Sequence, residues 1–258
     1  APDSYDLAAD YENLVLYNVT DPIHPFIQQV NFHDGVSEFA VNENSSHSYL
    51  LVKESSIKDV SSMYRIENQN LHALDLGQYE YTDMLIVTHP MFMKQAKEIA
   101  NIHAEKDGLV SLVVNVEEIY NEFSNGACDV SGIRNFIRMI YLRSRELKYV
   151  LLFGDGSCDY KNILGYGGNF VPSYEAKVTY NETESYVSDD YYAMLDPQDG
   201  YECKGLMDVG VGRLPVASEY EADVAVDKIR RYIEFDGNDA SWHNDILFVS
   251  DDNTNDYP

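Results

Sequence analysis

Basic residues are scarce in this sequence: 18 lysines and arginines stand against 44 aspartates and glutamates, a net charge of -26 over 258 residues. That imbalance opposes binding to phosphate backbones or anionic headgroups by bulk electrostatics, so nucleic acid is not an expected partner. Cysteine is sparse as well. Cys128, Cys158 and Cys203 form an odd set without CxxC spacing, which indicates neither a zinc site nor a disulfide framework and allows one bridge at most. No apolar run reaches the roughly 18 residues of a membrane span, and the amino terminus lacks the basic-then-apolar pattern of a signal peptide. Beginning at Ala1-Pro2-Asp3 and ending just after an expected strand, the sequence reads as a processed or truncated piece.

What is present is ample for a core, because 45% of the residues are hydrophobic. Residues 12 to 76 show short apolar runs, Leu14-Val15-Leu16-Tyr17 and Tyr49-Leu50-Leu51-Val52 among them, broken by turn-formers such as Asp21-Pro22 and Asp34-Gly35. This spacing predicts a small β region over residues 1 to 79, sandwich-like or the tail of a larger β domain, joined through the polar stretch Asp75 to Glu80.

From Tyr81 strands alternate with helices, which predicts an α/β domain over residues 80 to 258, an open parallel sheet with helices on both faces. The organising stretch is Tyr149 to Gly156, an apolar run without polar alternation that stops on an acidic glycine turn, as suits a central buried strand. Other strands are expected at Met84–Thr88, Leu109–Val116, Asp208–Pro215 and Ile246–Ser250. Helices are expected over Met91–Lys106, Ser131–Leu147, with arginines on its outer side, and from Ser218 to Phe235 behind a Ser218/Glu221 capping box. Between Gly156 and Asp208 the alternation fails for about 50 residues, far beyond the usual connection, so this aromatic, acidic excursion is either functional or locally structured.

Parallel strands with right-handed crossovers end at one edge, where open α/β sheets place their sites. That edge gathers His89, Asp155, Cys158, Arg213, Asp251 and Asp252. A His89–Cys158 thiolate pair is one reading of it, but nothing in the sequence places the two within hydrogen-bond reach. The carboxylates Asp189, Asp190, Asp196, Asp199 and Glu202 are close enough in sequence to share a calcium ion, although their spacing is not that of an EF-hand. No cofactor is otherwise required.

In order and spacing the α/β part resembles the gingipain family of cysteine peptidases, whose fold is caspase-like. The likeness rests on Tyr81 to Thr88, Lys148 to Asp155, Ser188-Asp189-Asp190-Tyr191-Tyr192, Val211-Gly212-Arg213-Leu214-Pro215 and Ala222 to Tyr232. Upstream, Tyr17 to Pro22 and Asn68 to His72 resemble the β region before the peptidase domain in the cell-surface sortase branch of that family, which serves the type IX secretion system. The resemblance implies a first caspase-like subdomain of an endopeptidase or sortase that cleaves or transfers peptide bonds through a thioester. It also implies export to the outer-membrane surface, protein or peptide substrates, and other secretion-system components as partners. The family's catalytic histidine lies in a Gly-His-Gly turn and its cysteine after a later strand, and this sequence has neither at a matching position, so this chain alone is expected to be inactive. A third catalytic residue, an acid that is usually glutamate in the family, falls on Asp252, with Asp251 as the alternative. Two other readings follow from the same residues: a degenerate, non-catalytic peptidase fold whose tyrosine-rich excursion binds a secretion component, and a calcium-dependent adhesion module.

Overall fold

A computed structural model describes residues 14–33, 36–41, 46–60, 62–63, 65–74, 82–144, 146–177, 185–235 and 245–248. The chain divides into two compact units, Ala1–Arg65 and Ile66–Pro258. The expected linker, residues 75 to 80, lies outside the described residues.

Among the described residues the first unit holds five short strands: β1 (Leu14–Asn18), β2 (Phe26–Ile27), β3 (Asn31–His33), β4 (Val36–Glu38) and β5 (Tyr49–Lys53). They pair antiparallel, as a three-stranded sheet in the order β2-β1-β5 and a β3-β4 hairpin. The neighbours Leu50 and Leu51 point to opposite faces and both are exposed, as are Phe26 and Ile27.

The second unit is the α/β domain. It runs β6 (Met84–Thr88), α1 (Met93–Asp107), β7 (Ser111–Asn115), α2 (Val116–Phe123), α3 (Val130–Ser144) and β8 (Tyr149–Phe153). The excursion follows, with the short strands β9 (Tyr174–Glu175) and β10 (Val187–Ser188), and then β11 (Gly210–Leu214) and α4 (Glu219–Ile233). Four strands form a parallel sheet in the order β11-β8-β6-β7. Every residue of β6 is buried. Successive side chains of a strand point to opposite faces, and the core divides accordingly. Leu85, Val87, Val150 and Leu152 pack with Ile119 of α2 and Ile133, Phe136, Ile137 and Ile140 of α3. Met84, Ile86 and Phe153 pack on the other face with Ala96 and Ile99 of α1 and Ala222 and Val226 of α4. Each fully buried chain of this size contributes about 1.5–3 kcal/mol relative to exposure.

The helix ends follow from local chemistry. Gly108, at φ 68, lets α1 close on itself through a Leu109 N–H to His103 O bond of 3.2 Å. Asp129 Oδ1 accepts the Ser131 N–H at 2.8 Å where α3 begins. Ser218 Oγ accepts the Glu221 N–H at 3.2 Å, while the Glu221 carboxylate reaches back one residue further than in the usual box, to Ala217 N–H at 2.7 Å.

Three sequence expectations need correction. The run Leu109–Val116 is strand only over β7, because Asn115 Oδ1 accepts the Glu117 N–H at 3.0 Å and starts α2 there, a helix that the sequence reading missed. Helix α3 ends at Ser144 rather than Leu147, since Ser144 Oγ donates to Thr82 O at 3.1 Å and accepts the Glu146 N–H at 3.2 Å. The expected strand Ile246–Ser250 is not a strand over its described part. Ile246, Leu247 and Phe248 are extensively exposed, because a β-forming composition makes no strand without a neighbour to pair with.

Candidate functional site at the carboxyl edge of the sheet

Strand β8 leaves the sheet through Gly154, where the φ of +151° disfavours any other residue and a Cβ would crowd Val171 Cγ2 at 3.0 Å and Phe170 Cβ at 3.1 Å. The excursion comes back against this exit. Asp155 O accepts the N–H groups of Phe170 and Val171 at 2.9 and 3.0 Å, and Asp155 N–H donates to Val216 O at 3.0 Å. The Asp155 carboxylate, half-buried, accepts the Gly156 N–H at 3.0 Å.

Arg213, on β11, closes the arrangement. Nε and Nη2 donate to the two Asp189 oxygens at 2.7 Å each, Nη1 donates to Gly154 O at 2.7 Å and Val171 O at 2.6 Å, and Nη2 also donates to Pro172 O at 3.2 Å. All five N–H donors of the guanidinium are thereby used, in the bidentate fork that carboxylates favour. Beneath it Tyr192 is fully buried, its hydroxyl donating to Pro172 O at 2.5 Å, and burial raises that phenol well above its ordinary value. Arg213 is thus a clamp, with no donor left for a substrate.

His89, at the end of β6, is equally committed. Its Nδ1 accepts the Met91 N–H at 3.2 Å, its Nε2 lies 3.8 Å from Glu117 Oε1, and its ring meets Phe170 edge-on at 5.1 Å. Burial lowers its pKa, with Glu117 opposing, as suits a neutral imidazole capping a turn. Cys158 is exposed. Nothing described in the structure joins it to His89.

The five carboxylates expected near a cation go separate ways, Glu202 to Lys204 at 2.8 Å. Asp189 spends both oxygens on Arg213, Asp190 and Asp196 are exposed, and Asp199 Oδ2 accepts the Leu206 N–H at 3.2 Å. Among the described residues no three His, Cys, Asp or Glu side chains are grouped to hold a metal ion. Asp251 and Asp252 lie outside the described residues.

The sequence reading missed three side chains that shape the excursion. Buried Asp159 accepts the N–H groups of Ile163, Leu164 and Gly165 at 2.7, 2.7 and 3.1 Å. The arginines of α3, on the side away from its apolar face, turn onto the excursion. Arg134 donates to Met194 O, Asp196 O and Asp199 O at 2.6, 3.0 and 2.9 Å, and Arg138 to Leu195 O at 2.8 Å. The available signal was their recurrence at four-residue spacing on one helix face, opposite a long acidic loop rich in carbonyls.

Comparison with known proteins gives the family. The sequence profile described as Peptidase family C25 matches residues 78–258. An uncharacterized protein of Archaeoglobus fulgidus is 31% identical over 151 residues, which are 58% of this chain and 34% of that protein. Among solved structures, dimeric latent PorU from Porphyromonas gingivalis superposes with a TM-score of 0.63 at 28% identity, covering 86% of this chain and 22% of that one. The complex of the pro- and mature domains of RgpB from the same organism gives a TM-score of 0.39 at 24% identity, covering 58% of this chain and 29% of that one. The chain thus spans about a third of the curated relative's length and about a fifth of the PorU chain.

Proposed function

Because the chain belongs to peptidase family C25, we propose that it forms the β region and first caspase-like subdomain of a cysteine endopeptidase or sortase whose histidine and cysteine are supplied by sequence following Pro258. The observation that carries this reading is the coincidence of the family match, residues 78–258, with the unit that builds the four-stranded parallel sheet. The carboxyl edge of that sheet supports it. Among the described residues of that edge, His89 and Arg213 are both consumed by the fold.

In the proposed mechanism an imidazole takes the thiol proton, the thiolate attacks the scissile carbonyl, and a thioester forms with loss of the amine. Water or an acceptor amine then resolves it. Asp252, or Asp251 beside it, orients the imidazole and stabilises the imidazolium through charge. The substrates are secreted proteins or peptides, and the site of action is the outer-membrane surface in company with other secretion-system components. Among the described residues no helix is long and apolar enough to cross a membrane.

The test compares this chain with the polypeptide extended along its coding sequence, using a thiol-directed affinity label and peptide substrates under reducing conditions. The expected result is no turnover by the 258-residue chain, with labelling and turnover by the longer one at a cysteine beyond Pro258. In that longer form Asp252→Asn should lower kcat about 10²-fold or more, within the range a base-orienting carboxylate commands. Turnover by the chain alone, abolished by Cys158→Ala, would overturn the reading.

A further inference from the structure

Beside the clamp, the excursion and the first turns of α3 enclose a cleft of about 340 Å³, at the lower end of the range for small-ligand sites. One wall is aromatic. Tyr174 and Tyr191 stack with centroids 4.7 Å apart and planes 22° from parallel, and the Arg134 guanidinium lies 5.5 Å from the Tyr191 centroid. Arg134 is fixed by its Nε and Nη2 bonds to three carbonyls, and among the described residues its Nη1 has no protein acceptor. Lys177, exposed at the mouth, makes no salt bridge within 4.0 Å among the described residues, though its charge acts on Glu202.

The two acids of the cleft are already engaged. Asp199 accepts the Leu206 N–H at 3.2 Å, and Glu202 pairs with Lys204 at 2.8 Å. Facing a ligand are Arg134 Nη1 and the Lys177 ammonium, the latter also acting on Glu202, over an apolar ring platform. The lip opposite is an unusual piece of backbone: Gly200, Glu202 and Cys203 all have positive φ, at 88°, 53° and 52°. Two successive non-glycine residues in that region persist only where the surroundings fix them, and they cluster at binding sites. This turn leaves Tyr201 73% exposed at the mouth. A side chain at Gly200 would meet the Arg134 guanidinium and the Tyr191 ring at 3.1–3.2 Å, so the lip lies directly on the platform.

We propose that this cleft is a docking site for a peptide segment that carries a carboxylate beside an aromatic or large apolar residue. The carboxylate pairs with Arg134 Nη1 and Lys177, and the apolar side chain packs on Tyr174 and Tyr201. Pairing of this kind suits the site energetically, since a charge-assisted bond to a preset guanidinium costs little further ordering. That the ligand is a peptide rests on the peptidase reading; the preference for a carboxylate does not.

The experiment is calorimetric titration of the 258-residue chain with acetyl-Ala-Phe-Glu as the free acid, with acetyl-Ala-Phe-Gln-amide, and with acetyl-Ala-Phe-Lys-amide. The expected result is saturable binding of the acid at sub-millimolar to millimolar Kd, weakened about tenfold by Lys177→Glu and by Tyr201→Ala. Both variants alter exposed side chains, and circular dichroism confirms that they fold. Saturation absent up to about 10 mM, equal affinity for the neutral peptide, preference for the lysine peptide, or indifference to Lys177→Glu would each overturn the proposal. None of these readouts involves turnover. The docking site and the peptidase reading therefore fail separately.

Discussion

Arg213 concentrates more of the fold in one side chain than any other polar residue at the sheet's carboxyl edge. Arg213→Ala would leave Asp189 without its cation and the Gly154 and Val171 carbonyls without donors, while Pro172 O keeps the Tyr192 hydroxyl, so a loss of about 3–5 kcal/mol is expected from the urea midpoint. Arg213→Lys should recover only part of it. An ammonium keeps the charge but offers three donors on one atom, and it cannot hold Asp189, Gly154, Val171 and Pro172 at once. An unchanged midpoint for the alanine variant would refute the clamp. Asp159 acts on a shorter range, through three successive amides. Asp159→Asn halves the acceptor set, and hydrogen exchange at Ile163, Leu164 and Gly165 should quicken while exchange in β6 stays unchanged.

At the scale of elements, the stretch 70–72 is held to α2 by one carboxylate. Glu122 Oε2 accepts both the His72 N–H and the His72 ring Nδ1 at 3.0 Å, the His72 ring stacks on Phe123 at 4.2 Å, and Arg143 donates to His72 O at 2.9 Å. Burial raises the Glu122 pKa, but bonds from the His72 amide and ring and from the amides of Leu71 and Asn70 outweigh it, and the net shift is downward. A carboxyl whose folded pKa is depressed stabilises the fold above its unfolded pKa, near 4.5, and loses that contribution as pH falls through the folded value. Glu122→Gln should therefore be less stable than the parent at pH 7, with the two Tm curves converging as acid is added below that range. Parallel curves at every pH would show that the carboxylate's charge is irrelevant. Elements differ in how far the sequence discloses them. Strands β6 and β8 were legible because an unbroken apolar run admits little but a strand covered on both faces, and topology alone then set Asp155 and Arg213 at one edge. Helix α2 was hidden by its eight-residue length and by the lack of any break between it and β7. The excursion was hidden for a different reason. Its order comes from side-chain donors of α3 and β11 meeting backbone carbonyls far along the chain, and a carbonyl has no letter in the sequence.

For the whole molecule, the surplus of acid is a repulsion that the fold carries everywhere at its surface. Screening should relieve it: raising NaCl from about 10 to about 150 mM shortens the Debye length from about 30 to about 8 Å, and Tm is expected to rise. A fall would mean that attractive pairs such as Lys148–Asp83, at 2.8 Å, outweigh the repulsion. The separation of Arg213 from the groups it holds has a consequence for how the protein is made. The guanidinium and Gly154 O are 59 residues apart. A ribosome adding about 5–20 residues per second needs roughly 3–12 seconds to cross that interval. Throughout it the nascent chain carries a nearly finished half-sheet trailed by an aromatic ribbon whose fastener has not yet been synthesised. Chaperone occupancy and protease cutting during translation should therefore peak while this ribbon is emerging, and fall once β11 has left the exit tunnel.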